Sequence, residues 1–448
     1  MSSAGQRAGR VLRRGFALTL AANVGNIALN MATGVLAARV LGAGGRGMLA
    51  AIQTVPSMVA TLSLLGLPAA VSYYSAREPS ASREVLTTGL VSALLFSCVG
   101  VAAGWIAVGL VFSDQPEVRT AASWYLAFVP LQALQYPAVT VAWGLGRFGT
   151  WNVLRLLAPL GWFGVLLWCA ERGVSSAATA ARLYLYVYAA SVPVALVLAR
   201  RASKGRSRVG LGRAAALVRY GAPSTLASVP SMLNLKLDQV LMAAWLPSKS
   251  LGLYAVAVSW SAALGPILAA AGTTVFPALA AGTHAERQEY VGTTMRLGVA
   301  ASIVGSAALA ATTPVFLPLL AGSEFAEAIP GAVILVFAAG VSALNTLAEE
   351  CLRGVGRPRW TFYGQMAGLP VTAVLLSVLL RRGGLIAAAW VSLISYAATA
   401  AVLAWGLSTE TDIKIRNLIV PRCSEMLGAW NAIKARISGS RRSEVQPE

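Results

Sequence analysis

Five polar side chains share one face of a single helix: Thr19, Asn23, Asn26, Asn30 and Thr33 follow one another at intervals of four, three, four and three in an otherwise apolar stretch. Such spacing returns to the same face at about 3.6 residues per turn. Amides donate and accept hydrogen bonds without carrying charge, so this stripe can bind sugar hydroxyls in a hydrated cavity or tie helices together; facing lipid would be costly. A second cluster, Asn234, Lys236, Asp238 and Gln239, lies in another apolar stretch. The ammonium would attract a phosphate, and the carboxylate would suit a cation or an exchangeable proton. Lys236 and Asp238 are two residues apart, so one regular helix turns them away from each other and a direct salt bridge is not expected. Asp238 either ties its helix to a neighbour or takes part in coupling. Glu349 and Glu350 are the other acids placed within the membrane, and Arg353, one turn on, offers them an interfacial ion pair as the alternative to a coupling role. Arg39, Arg77 and Arg155 complete the candidate contacts to an anionic substrate. Next to Tyr73, Tyr74 and Trp151, however, Arg77 and Arg155 equally suit anchoring at the membrane interface, as does Arg296.

The same inventory argues against catalysis. No nucleophile has a base beside it and no phosphate-binding loop occurs; His284 is the only histidine, and Cys98, Cys169, Cys351 and Cys423 are scattered without paired spacing. The chain is therefore expected to be no enzyme and to hold no metal, cofactor or disulfide framework.

The elements that must position these groups are membrane helices. Apolar residues make up 57% of the 448 and charged residues only 12%, with a mean hydropathy of +0.67. About twelve apolar stretches are long enough to cross a bilayer, at 16–38, 48–72, 86–112, 120–143, 152–170, 178–199, 222–246, 251–277, 293–317, 327–350, 360–380 and 384–407. The basic run Arg7, Arg10, Arg13 and Arg14 precedes a first span with no short apolar core and cleavage site, so that span reads as a retained helix. The net charge of +19 would suggest nucleic acid in a soluble protein. With residues 1–15 inside and the spans alternating, however, about 27 basic residues fall inside and about 8 outside, as the positive-inside rule requires, and no nucleic-acid partner is needed.

The chain also repeats itself at an offset of about 205 to 210 residues. Thr19-Leu20-Ala21, leading to Leu41-Gly42 and Gly47-Met48-Leu49-Ala50, corresponds to Thr225-Leu226-Ala227, leading to Leu246-Pro247 and Gly252-Leu253-Tyr254-Ala255. Gly144-Leu145-Gly146-Arg147-Phe148 corresponds to Gly354-Val355-Gly356-Arg357-Pro358. Asn30 then maps to Lys236 and Thr33 to Gln239, which sets Lys236 and Gln239 facing the same space as the asparagine stripe. Two equivalent halves of six spans each imply a parallel repeat about an axis along the membrane normal, with substrate between the halves. The expected organisation is a lobe at 1–199, a basic cytoplasmic linker at 200–218, a second lobe at 219–407 and a cytoplasmic tail at 408–448. In that tail Met426, Trp430, Ile433 and Ile437 outline an amphipathic helix for the inner leaflet.

Three features carry a resemblance: Arg39-Val40-Leu41-Gly42 with Gly47, Gly144-Leu145-Gly146-Arg147-Phe148, and Lys236-Leu237-Asp238 followed by Leu253-Tyr254-Ala255. In this order and twelve-span setting, extending to about residue 407, they resemble the polysaccharide flippase branch of the multidrug/oligosaccharidyl-lipid/polysaccharide exporter superfamily, which includes the Wzx-type O-antigen flippases. The resemblance implies an all-α fold of two six-helix lobes working by alternating access in a bacterial cytoplasmic membrane. The central cavity would accept the glycan and pyrophosphate of a polyprenyl-linked saccharide while the tail stays among membrane lipids, alongside glycosyltransferase and polymerase machinery. One departure is plain: the spans of the first half carry asparagines and no acid, unlike the cation-coupled drug exporters of that superfamily. Flipping a lipid-linked oligosaccharide is the expected function. A cation-coupled drug exporter, a peptidoglycan-precursor flippase and a membrane scaffold for a glycan-polymerising complex are the alternatives.

Overall fold

A computed structural model describes residues 3–265 and 284–421. Outside this range lie residues 266–277 of the eighth predicted span and the tail helix predicted around Met426, Trp430, Ile433 and Ile437; the side chains of Thr19 and His284 are likewise not described. The described residues form thirteen α-helices and no strand: α1 Ser3–Ser63, α2 Leu67–Arg77, α3 Ser82–Val111, α4 Pro116–Tyr125, α5 Phe128–Gly144, α6 Phe148–Arg172, α7 Ala177–Ala202, α8 Leu211–Trp245, α9 Ser248–Ser261, α10 His284–Ala321, α11 Ile329–Gly354, α12 Arg359–Thr411 and α13 Ile415–Ile419.

The described parts of the apolar stretches fall mostly on these helices, but not one to one. Seven helical stretches are by themselves long and apolar enough to cross a membrane. Two of these are kinked and serve more than one predicted crossing: α1 turns at Gly42 (φ 66°) and α12 at Gly384 (φ 51°), in the left-handed region that residues with a β-carbon avoid. The second crossing is assembled from the end of α1 and α2 across a break at Leu65 and Gly66, and the fourth from α4 and α5. The seventh, α8, carries Pro223, Pro230, Lys236 and Asp238, which lower its hydropathy. Internal prolines occur in most of the long helices, as neighbouring helices in a bundle allow.

The chain gathers into two compact units: Met1–Trp260 with Pro314–Gly331 and Leu375–Ala388, and Ser261–Thr313 with Ala332–Val374 and Ala389–Glu448. The first has two cores. One joins Leu49, Ile52, Tyr125, Phe128 and Tyr188; the other joins Leu67, Val71, Leu86, Leu154 and Leu217. Alanines such as Ala70, Ala93, Ala133 and Ala195 are fully buried in it, and small residues of this kind let helix backbones approach where no hydrophobic force separates helix from lipid. Leu95, Val99, Trp105, Ile106 and Leu110 of α3 are exposed, an apolar face suited to lipid.

The first unit also holds its basic α7–α8 loop in place. Residues 203–210, between α7 and α8, lie along the start of α3: Arg83 N donates to the Lys204 carbonyl at 2.9 Å, Lys204 N to Ser82 Oγ at 2.9 Å and Gly210 N to Thr88 Oγ1 at 3.3 Å. Arg208 pairs with Glu84 at 2.8 Å and Arg213 with Glu78 at 2.6 Å.

In the second unit, Val291, Leu347, Cys351, Leu352 and Leu403 pack around Leu418 of α13. Arg296 is buried and donates to the Asn417 carbonyl at 2.7 Å. A guanidinium that close to a helix end satisfies a carbonyl that the helix leaves open.

Candidate functional site

The charged cluster of α8 is divided by helix geometry. Lys236 Nζ donates to Gln239 Oε1 at 3.2 Å, three residues on and on the same face. Asp238 points elsewhere: its carboxylate accepts from the Tyr254 hydroxyl of α9 and from Gln239 N, the latter at 2.6 Å. Tyr254 is fully buried and Asp238 is 5% exposed, and a buried carboxylate is tolerated only when its oxygens have donors. The acid thus ties α8 to α9, while the one hydrogen bond of the ammonium among the described residues goes to a neutral amide. Lys236 forms no ion pair among the described residues.

The asparagine stripe of α1 is also divided. Asn23 Oδ1 accepts from Arg155 Nη2 of α6 at 2.5 Å, and the Arg155 guanidinium lies 4.5 Å from the centre of the Trp151 ring, so both an amide and a cation–π contact hold it. Asn26 is half-buried and its Oδ1 has no hydrogen-bond partner. Asn30 is exposed, and among the described residues its backbone carbonyl accepts from Thr33 Oγ1 at 2.9 Å. Asn23 is therefore an interhelical tie, whereas Asn26 and Asn30 retain hydrogen-bonding capacity.

The remaining candidates occupy separate places. Arg39 donates through Nε to the Leu320 carbonyl and through Nη2 to the Leu319 carbonyl, each at 2.6 Å; it caps the end of α10, where open carbonyls and the helix dipole favour a cation. Beside it the Glu324 carboxylate accepts from Ala43 N at 3.0 Å, just past the Gly42 kink, and serves as acceptor for a backbone donor that the kink leaves open. Lys249 and Glu327 pair at 2.7 Å. Arg77 Nη1 donates to the Tyr73 hydroxyl at 3.1 Å, and Tyr73 stacks on Tyr220 at 4.4 Å. In the second unit Glu349 and Glu350 both pair with Arg353, at 3.2 and 2.7 Å, and Glu349 also accepts from Gln365 Nε2 at 2.9 Å. Among the described residues no group of three acidic, histidine or cysteine side chains gathers as metal ligands.

Two of these partners were hard to foresee. Tyr254 stands within a motif the sequence displays, but its pairing with Asp238 needs the turn between α8 and α9. Glu324 lies in a short 3-10 turn, Ser323–Ala328, with nothing local to mark it.

Long kinked helices, buried small residues and polar groups held inside the bundle define a polytopic membrane protein with an exporter fold. Residues 12–282 match the family described as polysaccharide biosynthesis protein, and the chain belongs to that family. The fold is shared with the lipid II flippase MurJ in an inward closed conformation, at a TM-score of 0.73 and 10% identity over 90% of this chain and 89% of that one. It is shared also with an inward-facing multidrug resistance MATE family transporter of the MOP superfamily, at 0.66 and 12% identity over 86% of this chain and 95% of that one. A eukaryotic MATE transporter matches at 0.55 and 18% identity over 91% and 99% of the two chains. No curated protein sequence matches.

Proposed function

We propose that this protein flips a polyprenyl-pyrophosphate-linked oligosaccharide across the cytoplasmic membrane for surface polysaccharide biosynthesis, by alternating access of two lobes at 1–199 and 219–407 joined by the 200–218 linker. Residues 1–15, 200–218 and 408–448 then share the cytoplasmic side, where the basic residues concentrate. The protein is a transporter in this reading and performs no covalent chemistry.

The observation that carries the proposal is the separation of Lys236 from Asp238. With the acid engaged by Tyr254 and Gln239 N, the α8 ammonium has one amide as its hydrogen-bond partner among the described residues. A membrane-embedded cation costs roughly 2.5–3.5 kcal/mol on insertion scales and is retained for a partner. A pyrophosphate supplies that partner, whereas a cationic drug would be repelled. Asn26, Asn30 and Gln239 provide amides for hydroxyls, and Arg77 and Arg155 further positive charge; Arg39, Asp238, Glu349 and Glu350 act structurally.

The fold it shares with a lipid II flippase supports a second reading, in which the carried lipid is a peptidoglycan precursor. A deletion strain separates the readings. The proposal expects lipid-linked repeat units held on the cytoplasmic leaflet, loss of surface polymer and unchanged drug sensitivity. Normal surface glycan with raised sensitivity to cationic drugs would sink it in favour of a drug exporter. Lysis with accumulated peptidoglycan precursor would favour the second reading. Glycosyltransferase and polymerase partners are expected to co-purify with the protein if it works within an assembly line for that polymer.

A further inference from the structure

A cavity of about 510 Å³ opens among α5, α6 and α7 of the first unit, apart from Lys236. Its walls are aromatic, with Trp143, Trp151, Tyr184 and Tyr188 among the lining residues, and its polar groups include Gln132 and Arg155. No acidic side chain lines it among the described residues. Trp143 and Trp151 stack at 6.2 Å, and Trp143 is half exposed. Arg155 is fixed at the rim by Asn23 and the Trp151 ring. Gln132 is 5% exposed and its Oε1 has no hydrogen-bond partner, whereas the neighbouring Gln135 accepts from Ser191 Oγ at 3.4 Å.

These features restrict the occupant. A buried amide oxygen without a donor is costly, so the Gln132 carbonyl calls for an incoming O–H or N–H. The charged group among the described lining residues is a guanidinium, which disfavours cations. Flat aromatic walls suit the C–H faces of a ring, and the volume lies within the range of about 300–1,000 Å³ typical of ligand sites. An acyl chain would fill the space but leave Gln132 and Arg155 unanswered.

We propose that this cavity is a saccharide subsite, in which one or two sugar rings of the carried oligosaccharide lie against Trp143 and Trp151. A sugar hydroxyl donates to Gln132 Oε1, and Arg155 donates to ring or hydroxyl oxygens. The proposal rests on the flippase reading above and deepens it: Lys236 holds the pyrophosphate, and selection among sugars occurs within the first six spans.

The test uses the full chain in lipid nanodiscs, with neutral oligosaccharides released from the source cell's surface polymer by mild acid as the probe. Saturation-transfer NMR reads binding directly. Wild type is expected to bind the probe, which carries no pyrophosphate. Gln132→Met, close in shape but lacking the acceptor, is expected to weaken binding about tenfold or more, and Gln132→Glu, which restores an acceptor, to recover most of it. Unchanged affinity in Gln132→Met overturns the subsite, as does displacement of the probe by a dodecyl-chain lipid or a lipophilic cation. If wild type does not bind the probe while the deletion strain still shows the glycan defect, the subsite is wrong and the flippase reading stands. Normal glycan in the deletion strain removes the flippase reading instead.

Discussion

Gly47 and Gly252 occupy equivalent positions in the two repeats, and their backbones meet. A β-carbon at Gly47 would lie 1.6 Å from the Ser248 carbonyl oxygen and 2.7 Å from Gly252 N; one at Gly252 would lie 1.8 Å from the Ala43 carbonyl oxygen and 2.9 Å from Gly47 N. Only hydrogen fits at either place. Arg39 and Glu324 bind on either side of the Gly42 kink of α1, so this contact belongs to a cluster around that kink.

Alanine at Gly47 or Gly252 should therefore force α1 and α9 apart. Overpacking at a rigid backbone costs about 1–3 kcal/mol or more. Either single variant is expected to lower the thermal midpoint of the purified protein and to fail in restoring surface glycan to a deletion strain. A variant with wild-type stability and full complementation would show that the two helices separate freely there.

The Asp238–Tyr254 tie predicts a different pattern. Tyr254→Phe leaves a buried carboxylate short of a donor, at a cost of about 1–3 kcal/mol. Tyr254→Phe combined with Asp238→Asn should recover part of the loss, because the amide carries no charge to bury. Thermal denaturation of the three proteins checks it. Equal stability of Tyr254→Phe and wild type would mean that the hydroxyl is not needed to hold Asp238.

Lys236 should be needed for transport and not for folding. Lys236→Ala is expected to abolish surface glycan while the protein stays at its normal level in the membrane. Lys236→Arg should keep part of the activity, since a guanidinium also binds phosphate. Immunoblotting paired with a glycan assay is sufficient. Full activity in the alanine variant takes Lys236 out of the mechanism.

The linker contact supplies a pH dependence. The hydrogen bond from Arg213 holds the Glu78 carboxyl below its ordinary value. Because the folded value lies below the unfolded one, the contribution is complete at neutral pH and is lost as pH falls from about 4.3 through the folded value. Proteolysis within 203–210 should therefore accelerate over that acidic range, and Glu78→Gln should be cut at a faster rate already at neutral pH. A cleavage rate independent of pH in wild type would exclude this ion pair as the fastening.

The sequence by itself determined the class of fold. Composition and periodicity allow only a helical membrane protein, and the repeat paired Gly47 with Gly252 and Gly146 with Gly356, the last two both at positive φ in the structure, 66° and 85°. Lys236 was conspicuous because charge in an apolar run can be read without coordinates. What the sequence left open was which polar groups are already satisfied. Asn23, Asn26 and Asn30 look alike on a helical wheel, yet one is taken by Arg155, one lacks a partner at Oδ1 and one is exposed. Arg39 resembles a substrate contact until the end of α10, some 280 residues away, supplies its carbonyls. The cavity beside Gln132 had a faint local trace in Phe128, Gln132, Gln135 and Tyr136 at helical spacing. Its other walls come from α6 and α7, and only packing brings them together. Hydrogen bonding and cavities depend on separations of a few ångströms between distant segments, which periodicity along one helix does not encode.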